Sequence, residues 1–243
     1  MAGALPELIA LRPFDLFAAH EQCVVRLDPA DGDRLARDAP HRLARLPAAA
    51  APQRRLEYLA ARAAAAMLLR SQGSACIEVE SEPDRAPIWP RGYTGSITHS
   101  ALLAAVVVRA TAPGASVGID AQPLLDRAEA SEVAGRCIHP GELADCVRRS
   151  GLSDQQVTTL LFSAREAFFK CVDPAAQRQL WHLDVRVSAL DLGSGRFELW
   201  VLNAPTPGLP AGQSLTGSFS FGSGHAFTAF EMPGAGLQAP TGV

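Results

Sequence analysis

Residues 153–171, SDQQVTTLLFSAREAFFKC, carry the clearest helical pattern in this chain. Apolar side chains recur there at intervals of three and four residues, the spacing of one face of an α-helix. They are Val157, Leu160, Leu161, Ala164, Ala167 and Phe168. Ser153 can cap the first turn, because its hydroxyl oxygen can accept a hydrogen bond from a free backbone N–H. The pattern predicts a long amphipathic helix at residues 154–171.

Segments rich in β-branched and aromatic residues surround this helix and predict strands. The predicted strands lie at residues 116–121, 184–188, 197–201, 215–221 and 225–231. The Gly-Ser-Gly sequence at residues 222–224 separates the last two strands and predicts a hairpin. We expect the Gly/Pro-rich tail from about residue 233 to be flexible.

The N-terminal half of the chain repeats the combination of a long helix and strands. Apolar residues at helical spacing predict a helix at residues 53–71. Strands are expected at residues 23–27, 77–80 and 102–108. A Pro-Gly turn signal at residues 113–114 separates the halves. We therefore predict an α+β fold with an N-terminal lobe at residues 1–113 and a C-terminal lobe at residues 114–243, each a long helix packed on a small, mostly antiparallel sheet.

Composition narrows the class of protein. The chain has 243 residues and a net charge of -3, so we expect neither nucleic acid nor an anionic membrane as a partner. Its five cysteines are odd in number and none are spaced as CxxC, which argues against a disulfide framework or a zinc ribbon. We expect reduced thiols in a cytoplasmic protein. The N-terminus lacks a signal-peptide pattern, and no apolar run reaches the ~20 residues of a transmembrane helix.

Three side chains form the candidate reaction site. Asp120 comes at the end of the strand predicted at residues 116–121, while Glu166 and Lys170 are four residues apart and share one face of the predicted helix. Carboxylates that hold a divalent cation beside a lysine suit an enzyme that transfers phosphate groups. Taken alone, these residues also fit a turn aspartate and a helix-surface ion pair.

Three motifs follow one another along the chain. They are PIWP at residues 87–90 leading to GSITHS at 95–100, GID at 118–120, and FSAREAFFK at 162–170. In this order they resemble the motifs of two-lobed 4'-phosphopantetheinyl transferases, the group that includes the surfactin-type and enterobactin-synthase-associated enzymes. The resemblance implies two pseudo-symmetric lobes, with coenzyme A in the cleft between them, and a monomer. It also implies transfer of the phosphopantetheine arm to a serine of an acyl or peptidyl carrier protein, which releases adenosine 3',5'-bisphosphate.

The resemblance assigns the reaction chemistry to four residues. Asp120, Gln122 and Glu166 would hold Mg²⁺, or Mn²⁺ in its place, on the coenzyme pyrophosphate. Glu166 would take the proton from the carrier serine, directly or through a water. Lys170 would stabilise or protonate the leaving phosphate.

Basic and hydroxyl side chains are implied to bind the coenzyme phosphates. They are Arg54, Arg55, Arg62, Arg85, Ser96, Thr98, His99 and Lys170. Guanidinium groups suit this role because their forked N–H donors match phosphate oxygens. Ser96, Thr98 and His99 would act from one loop, with His99 on the 3'-phosphate. The simpler alternatives are solvated arginines and a structural loop histidine.

The sequence departs from the family pattern at two positions. Gln122 stands where the family's D-x-E motif has an acid, so we expect a magnesium site with two carboxylates. Arg165 occupies the position of a family lysine, and we expect it to face the solvent or the carrier. The remaining histidines lack metal-ligand spacing and are expected to be structural or exposed; they are His20, His41, His139, His182 and His225.

Two other functions remain open. Gln122 favours a module that binds coenzyme A or a carrier protein without efficient catalysis. A metal-dependent phosphohydrolase is the third candidate, although the sequence lacks further clustered carboxylates. Four arginines between the last two motifs either steer an acidic carrier or form an ordinary solvated surface; they are Arg127, Arg136, Arg148 and Arg149.

Overall fold

The structure is a computed structural model that describes residues 20–82, 86–111, 114–172, 180–203 and 209–232. The chain divides into two compact units, Met1–Pro113 and Gly114–Val243. Both units combine helices with antiparallel sheets, which confirms the predicted α+β class. The tail from residue 233 lies outside the described residues. No helix within those ranges is both long and apolar enough to span a membrane.

The first unit contains a three-stranded antiparallel sheet, in which the strand Leu103–Ala110 lies between the strands Glu21–Arg26 and Tyr93–His99. In chain order its elements are β1 (Glu21–Arg26), α1 (Gly32–Asp38), α2 (Pro40–Leu43), α3 (Pro52–Ser71), β2 (Glu80–Ser81), β3 (Pro87–Ile88), β4 (Tyr93–His99) and β5 (Leu103–Ala110). Helix α3 confirms the helix predicted at residues 53–71. The strand predicted at residues 77–80 is wrong except at Glu80, where β2 begins, because the partner strand β3 is only two residues long and pairs with Glu80 and Ser81 alone.

Helix α3 packs an apolar stripe on this sheet. Leu59 and Leu68 of the helix belong to the same buried cluster as Val106 and Val108 of β5. Burying each such aliphatic side chain contributes about 1.5–3 kcal/mol. This packing fixes the position of the helix that carries the candidate residues Arg54, Arg55 and Arg62.

The second unit is built on a five-stranded antiparallel sheet. In chain order its elements are β6 (Ser116–Pro123), α4 (Arg127–Cys137), α5 (Glu142–Ser150), α6 (Asp154–Cys171), β7 (Val185–Asp191), β8 (Arg196–Val201), β9 (Ser214–Gly222) and β10 (His225–Met232). The strand order is β6-β10-β9-β8-β7, so β6 joins the sheet beside the last strand of the chain. The hairpin predicted at residues 222–224 is confirmed between β9 and β10.

Helix α6 has the predicted bounds and the predicted cap. The Ser153 hydroxyl accepts from the Gln156 backbone N–H, and the Gln156 side chain accepts from the Ser153 backbone N–H. Its apolar stripe is buried on the sheet, where the Phe168 ring meets the Phe230 ring edge-on at 5.6 Å between centroids. The sequence pattern therefore predicted both the helix and its buried face.

Helix α6 and strand β6 approach each other closely at Gly118. A Cβ atom on this residue would lie 2.0 Å from the Ala167 carbonyl oxygen and 2.6 Å from the Cys171 nitrogen, so only glycine fits. Asp120 lies two residues further along the same face of β6 and therefore also faces α6. The prediction that Asp120 ends its strand is wrong, because β10 continues the pairing to Pro123.

Candidate active site

Asp120 is fixed by two donors from helix α6, one on each carboxylate oxygen. Its Oδ1 accepts from Lys170 Nζ at 2.7 Å, and its Oδ2 accepts from Ser163 Oγ at 2.8 Å. Asp120 is 6% exposed, whereas the Lys170 side chain is 32% exposed. Ser163 Oγ also lies 2.9 Å from Thr228 Oγ1 of β10. The structure thus brings the GID motif and the FSAREAFFK motif together, at a buried carboxylate that contacts a partly exposed lysine side chain.

Two of these residues were missed by the sequence analysis. Ser163 lies inside the FSAREAFFK motif, seven residues before Lys170, and this spacing of two helical turns could have indicated a shared face. Thr228 gave no signal, because strand β10 becomes the neighbour of β6 only through the topology of the sheet.

Glu166 contacts His182, for which the sequence indicated no role in the site. Its Oε1 lies 2.9 Å from His182 Nε2, and both side chains are about one-third exposed. The expectation that His182 is simply structural or exposed is incomplete, because its ring binds one of the predicted catalytic carboxylates.

The predicted metal ligands supply oxygen donors only. Asp120 and Gln122 alternate with Ala121 along β6 and so share one face of the strand, and Glu166 lies on α6. Carboxylate and amide oxygens suit Mg²⁺, which also retains water and binds substrate phosphates. Among the residues that the structure describes, no group of three or more His, Cys, Asp or Glu side chains is placed to hold a metal. The role of Asp120, Gln122 and Glu166 in holding a metal stays a prediction.

The first unit contains a cavity of about 1070 Å³ beside helix α3. Three predicted phosphate-binding residues line it, namely Arg54, Arg62 and His99, and Arg45 adds a fourth basic group. Arg54 Nη1 lies 2.6 Å from His99 Nε2, while His99 Nδ1 lies 3.3 Å from Glu57. Glu57 therefore helps to order the basic groups of this cavity.

Arg62 is the most firmly held of these basic groups. It is 6% exposed, its guanidinium lies 5.0 Å from the Tyr58 ring centroid, and its Nη2 donates to Ser81 Oγ at 2.9 Å. Burial lowers the pKa of this guanidinium below its ordinary value. Its Nε is buried without a hydrogen-bond partner among the described residues. A buried cation with an unused N–H is chemically suited to an anionic ligand.

A further predicted phosphate contact, Arg55, is not among the residues that line this cavity. Arg55 donates to the carbonyl oxygens of Ala50 at 2.9 Å and Ala48 at 2.6 Å, so it orders the segment that forms part of the cavity wall. Arg85 lies outside the described residues.

The prediction that Ser96, Thr98 and His99 lie on one loop is wrong. They belong to strand β4, in which side chains alternate between the two faces of the sheet. Ile97 and His99 line the cavity, whereas Ser96 and Thr98 are buried on the opposite face. The three side chains therefore cannot act together from one surface of the strand.

Arg165 is buried rather than exposed, which corrects the expectation that it faces solvent or the carrier. Its Nη2 binds both carboxylate oxygens of Glu142, at 2.8 and 2.7 Å, and both side chains are 0% exposed. Its other N–H groups donate to the carbonyl oxygens of His182 and Leu161. Glu142 also accepts from the Val187 backbone N–H at 2.8 Å. This network joins α5, α6 and β7.

The four arginines considered for carrier binding are exposed but differ in charge environment. Arg136 pairs with Glu132 and Arg148 with Asp145 within their own helices. Arg149 donates to the Ser188 carbonyl oxygen at 2.9 Å, which is a neutral acceptor rather than a carboxylate. Their role in carrier binding stays a prediction.

Comparison with known proteins gives two family matches. The model of the 4'-phosphopantetheinyl transferase N-terminal domain matches residues 40–109, and that of the 4'-phosphopantetheinyl transferase superfamily matches residues 116–211. Both the cavity residues Arg54 to His99 and the pair Asp120–Lys170 lie inside the matched ranges.

Individual relatives agree with these matches. Enterobactin synthase component D of Escherichia coli (strain K12) is 37% identical over 121 residues, which is 49% of this chain and 54% of the relative. 4'-Phosphopantetheinyl transferase Npt of Nocardia iowensis is 29% identical over 185 residues, 73% of this chain and 82% of the relative. The transferase Svp of Streptomyces mobaraensis is 32% identical over 151 residues, 60% of this chain and 59% of the relative. The chain spans about half the length of the enterobactin synthase relatives that it matches.

Proposed function

Because this chain belongs to the 4'-phosphopantetheinyl transferase superfamily, we propose that it transfers the 4'-phosphopantetheine arm of coenzyme A to a serine of an acyl or peptidyl carrier protein. The observation that carries this proposal is the contact between the two reaction motifs, in which Asp120 accepts from Lys170 and Ser163. The pyrophosphate bond breaks on the adenosine side of the transferred phosphorus, and adenosine 3',5'-bisphosphate leaves. A cytoplasmic monomer is part of the same proposal.

The proposed reaction divides the chemistry among residues of the second unit. Asp120, Gln122 and Glu166 would hold Mg²⁺, which when bound stabilises negative charge on the pyrophosphate oxygens. Glu166 accepts the hydroxyl proton of the carrier serine while the serine oxygen forms its bond to phosphorus. Lys170, whose ammonium group contacts Asp120 and whose side chain is partly exposed, would stabilise the charge that develops on the leaving phosphate.

The cavity of the first unit supports the proposal that the chain binds the phosphates of coenzyme A. Arg54, Arg62 and His99 supply the positive groups that the coenzyme phosphates require, with His99 proposed for the 3'-phosphate. The unused Nε–H of Arg62 and its lowered pKa favour an anion there, because an incoming phosphate both accepts the hydrogen bond and neutralises the desolvated charge. Arg55 is proposed to act through the cavity wall that it orders.

Replacing Gln122 with glutamate should raise the apparent affinity for Mg²⁺ on the order of tenfold, because it adds a charged oxygen ligand on the face that carries Asp120. The measurement is the rate of carrier loading against Mg²⁺ concentration at saturating coenzyme A. Gln122→Leu, which removes the amide oxygen at similar volume, is the matched control and should weaken the affinity. An unchanged Mg²⁺ dependence in both variants would place Gln122 away from the metal.

The second candidate function is a module that binds coenzyme A or a carrier without efficient transfer. The uncharged amide of Gln122 in the metal-ligand set favours it. Apo carriers from siderophore, polyketide, peptide and fatty-acid systems, each incubated with coenzyme A, with and without Mg²⁺, distinguish the two. A transferase adds one phosphopantetheine arm to at least one carrier only with Mg²⁺, whereas a binding module adds none. Phosphate release without any carrier would instead indicate a phosphohydrolase.

A further inference from the structure

We infer that His182 is a positioning residue that holds the carboxylate of Glu166 for the reaction, an inference that rests on the proposed transferase function. His182 Nε2 lies 2.9 Å from Glu166 Oε1. An ionised carboxylate only accepts hydrogen bonds, so the imidazole N–H is the donor. The contact occupies one oxygen of Glu166 and sets the direction of the other.

The imidazole ring is held by two aromatic side chains of helix α6. It stacks on the Phe162 ring at 5.5 Å between centroids with an interplanar angle of 11°, and meets the Phe169 ring edge-on at 5.1 Å. Phe162, Glu166 and Phe169 are spaced i, i+4 and i+7 and therefore share one face of the helix. The two rings restrict the imidazole to an orientation in which Nε2 meets Glu166.

The backbone of His182 is held independently of its ring. Its carbonyl oxygen accepts from Arg165 Nε at 2.9 Å, and Arg165 is itself held by the buried carboxylate of Glu142. An ordinary surface ion pair lacks such contacts and contributes little to the stability of the fold. His182 is therefore fixed at its carbonyl oxygen, at both ring contacts and at Nε2. Residues held in this way can orient a catalytic carboxylate or a metal ligand without touching the substrate or the metal themselves.

Two substitutions separate positioning from simple packing. His182→Phe keeps an aromatic ring between Phe162 and Phe169 but removes the donor. His182→Gln loses the ring but can place an amide N–H where Nε2 lies. If His182 acts through its hydrogen bond, His182→Phe should lower kcat by about 10–100-fold with little change in the KM for coenzyme A. It should also weaken Mg²⁺ binding, measured by calorimetry in the presence of coenzyme A, and His182→Gln should recover most of both losses.

The outcomes distinguish this inference from the proposed function. A wild-type protein that loads no carrier contradicts the function and the positioning role together. An active wild type with unchanged kcat and Mg²⁺ binding in His182→Phe contradicts the positioning role alone. So does a His182→Gln variant impaired as much as His182→Phe, because a packing role would not be rescued by a donor.

A stability measurement tests the pairing without reference to activity. The free energies of unfolding in urea of His182→Phe, Glu166→Leu and the double variant form a double-mutant cycle. Non-additive effects are expected because the two side chains share one hydrogen bond. Additive effects would show that the pair is not coupled and would overturn the inference.

Discussion

Replacing Arg165 with alanine should lower the free energy of unfolding by about 3–5 kcal/mol, because it leaves the Glu142 carboxylate buried without its cation. Both side chains are 0% exposed, and the guanidinium also serves the carbonyl oxygens of His182 and Leu161. The loss therefore combines an unpaired buried charge with acceptors that lose their donors. Urea unfolding followed by circular dichroism measures it.

Two further variants make this result specific. Arg148→Ala removes an exposed arginine that pairs with Asp145 at 2.7 Å, and should cost less than about 1 kcal/mol. Combining Arg165→Met with Glu142→Leu removes both charges at similar volume and should recover part of the stability lost in Arg165→Ala. A cost for Arg165→Ala as small as that of Arg148→Ala would contradict the buried network.

Replacing Asp120 with asparagine should lower the rate of carrier loading by about a thousandfold, because a metal held at the pyrophosphate contributes several kcal/mol of charge stabilisation. Asparagine has nearly the same shape, so the main loss is the negative charge that faces Lys170 and the proposed Mg²⁺. Single-turnover loading at saturating coenzyme A isolates the chemical step from coenzyme binding.

The matched control for this variant is Asp154→Asn, which removes an exposed carboxylate from the first turn of the same helix that carries Lys170. It should load carriers at close to the wild-type rate. Both proteins should show the same circular dichroism spectrum at the assay temperature. Wild-type activity in a folded Asp120→Asn protein would remove Asp120 from the metal site.

Local patterns predicted the elements that carry the proposed reaction. Helical spacing and the Ser153 cap gave helix α6, and the β-branched run at residues 116–121 gave most of β6. The packing of β6 against α6 could be predicted only in part from the sequence. The close approach at Gly118 depends on backbone atoms of Ala167 and Cys171. The family motifs identified Asp120 and Lys170 as site residues. In the structure, Lys170 Nζ lies 2.7 Å from Asp120 Oδ1.

The sequence did not predict contacts that depend on tertiary pairing. Glu142 and Arg165 are 23 residues apart and neither carries a signal of burial, so the charged arginine was expected at the surface. His182 lies 16 residues beyond Glu166, across a segment whose path the sequence does not specify. Ser96 and Thr98 were placed on one surface with His99 because the loop-like Gly-Ser sequence concealed the alternation of a strand.

The most direct test of the proposed function is the mass of an apo carrier protein after incubation with this protein, coenzyme A and Mg²⁺. Intact mass spectrometry should show a gain of one phosphopantetheine arm on the carrier serine, matched mole for mole by adenosine 3',5'-bisphosphate. The gain should disappear with chelator and in the Asp120→Asn protein. If a folded wild-type protein modified no carrier from siderophore, polyketide, peptide or fatty-acid systems, the proposed transferase function would be contradicted.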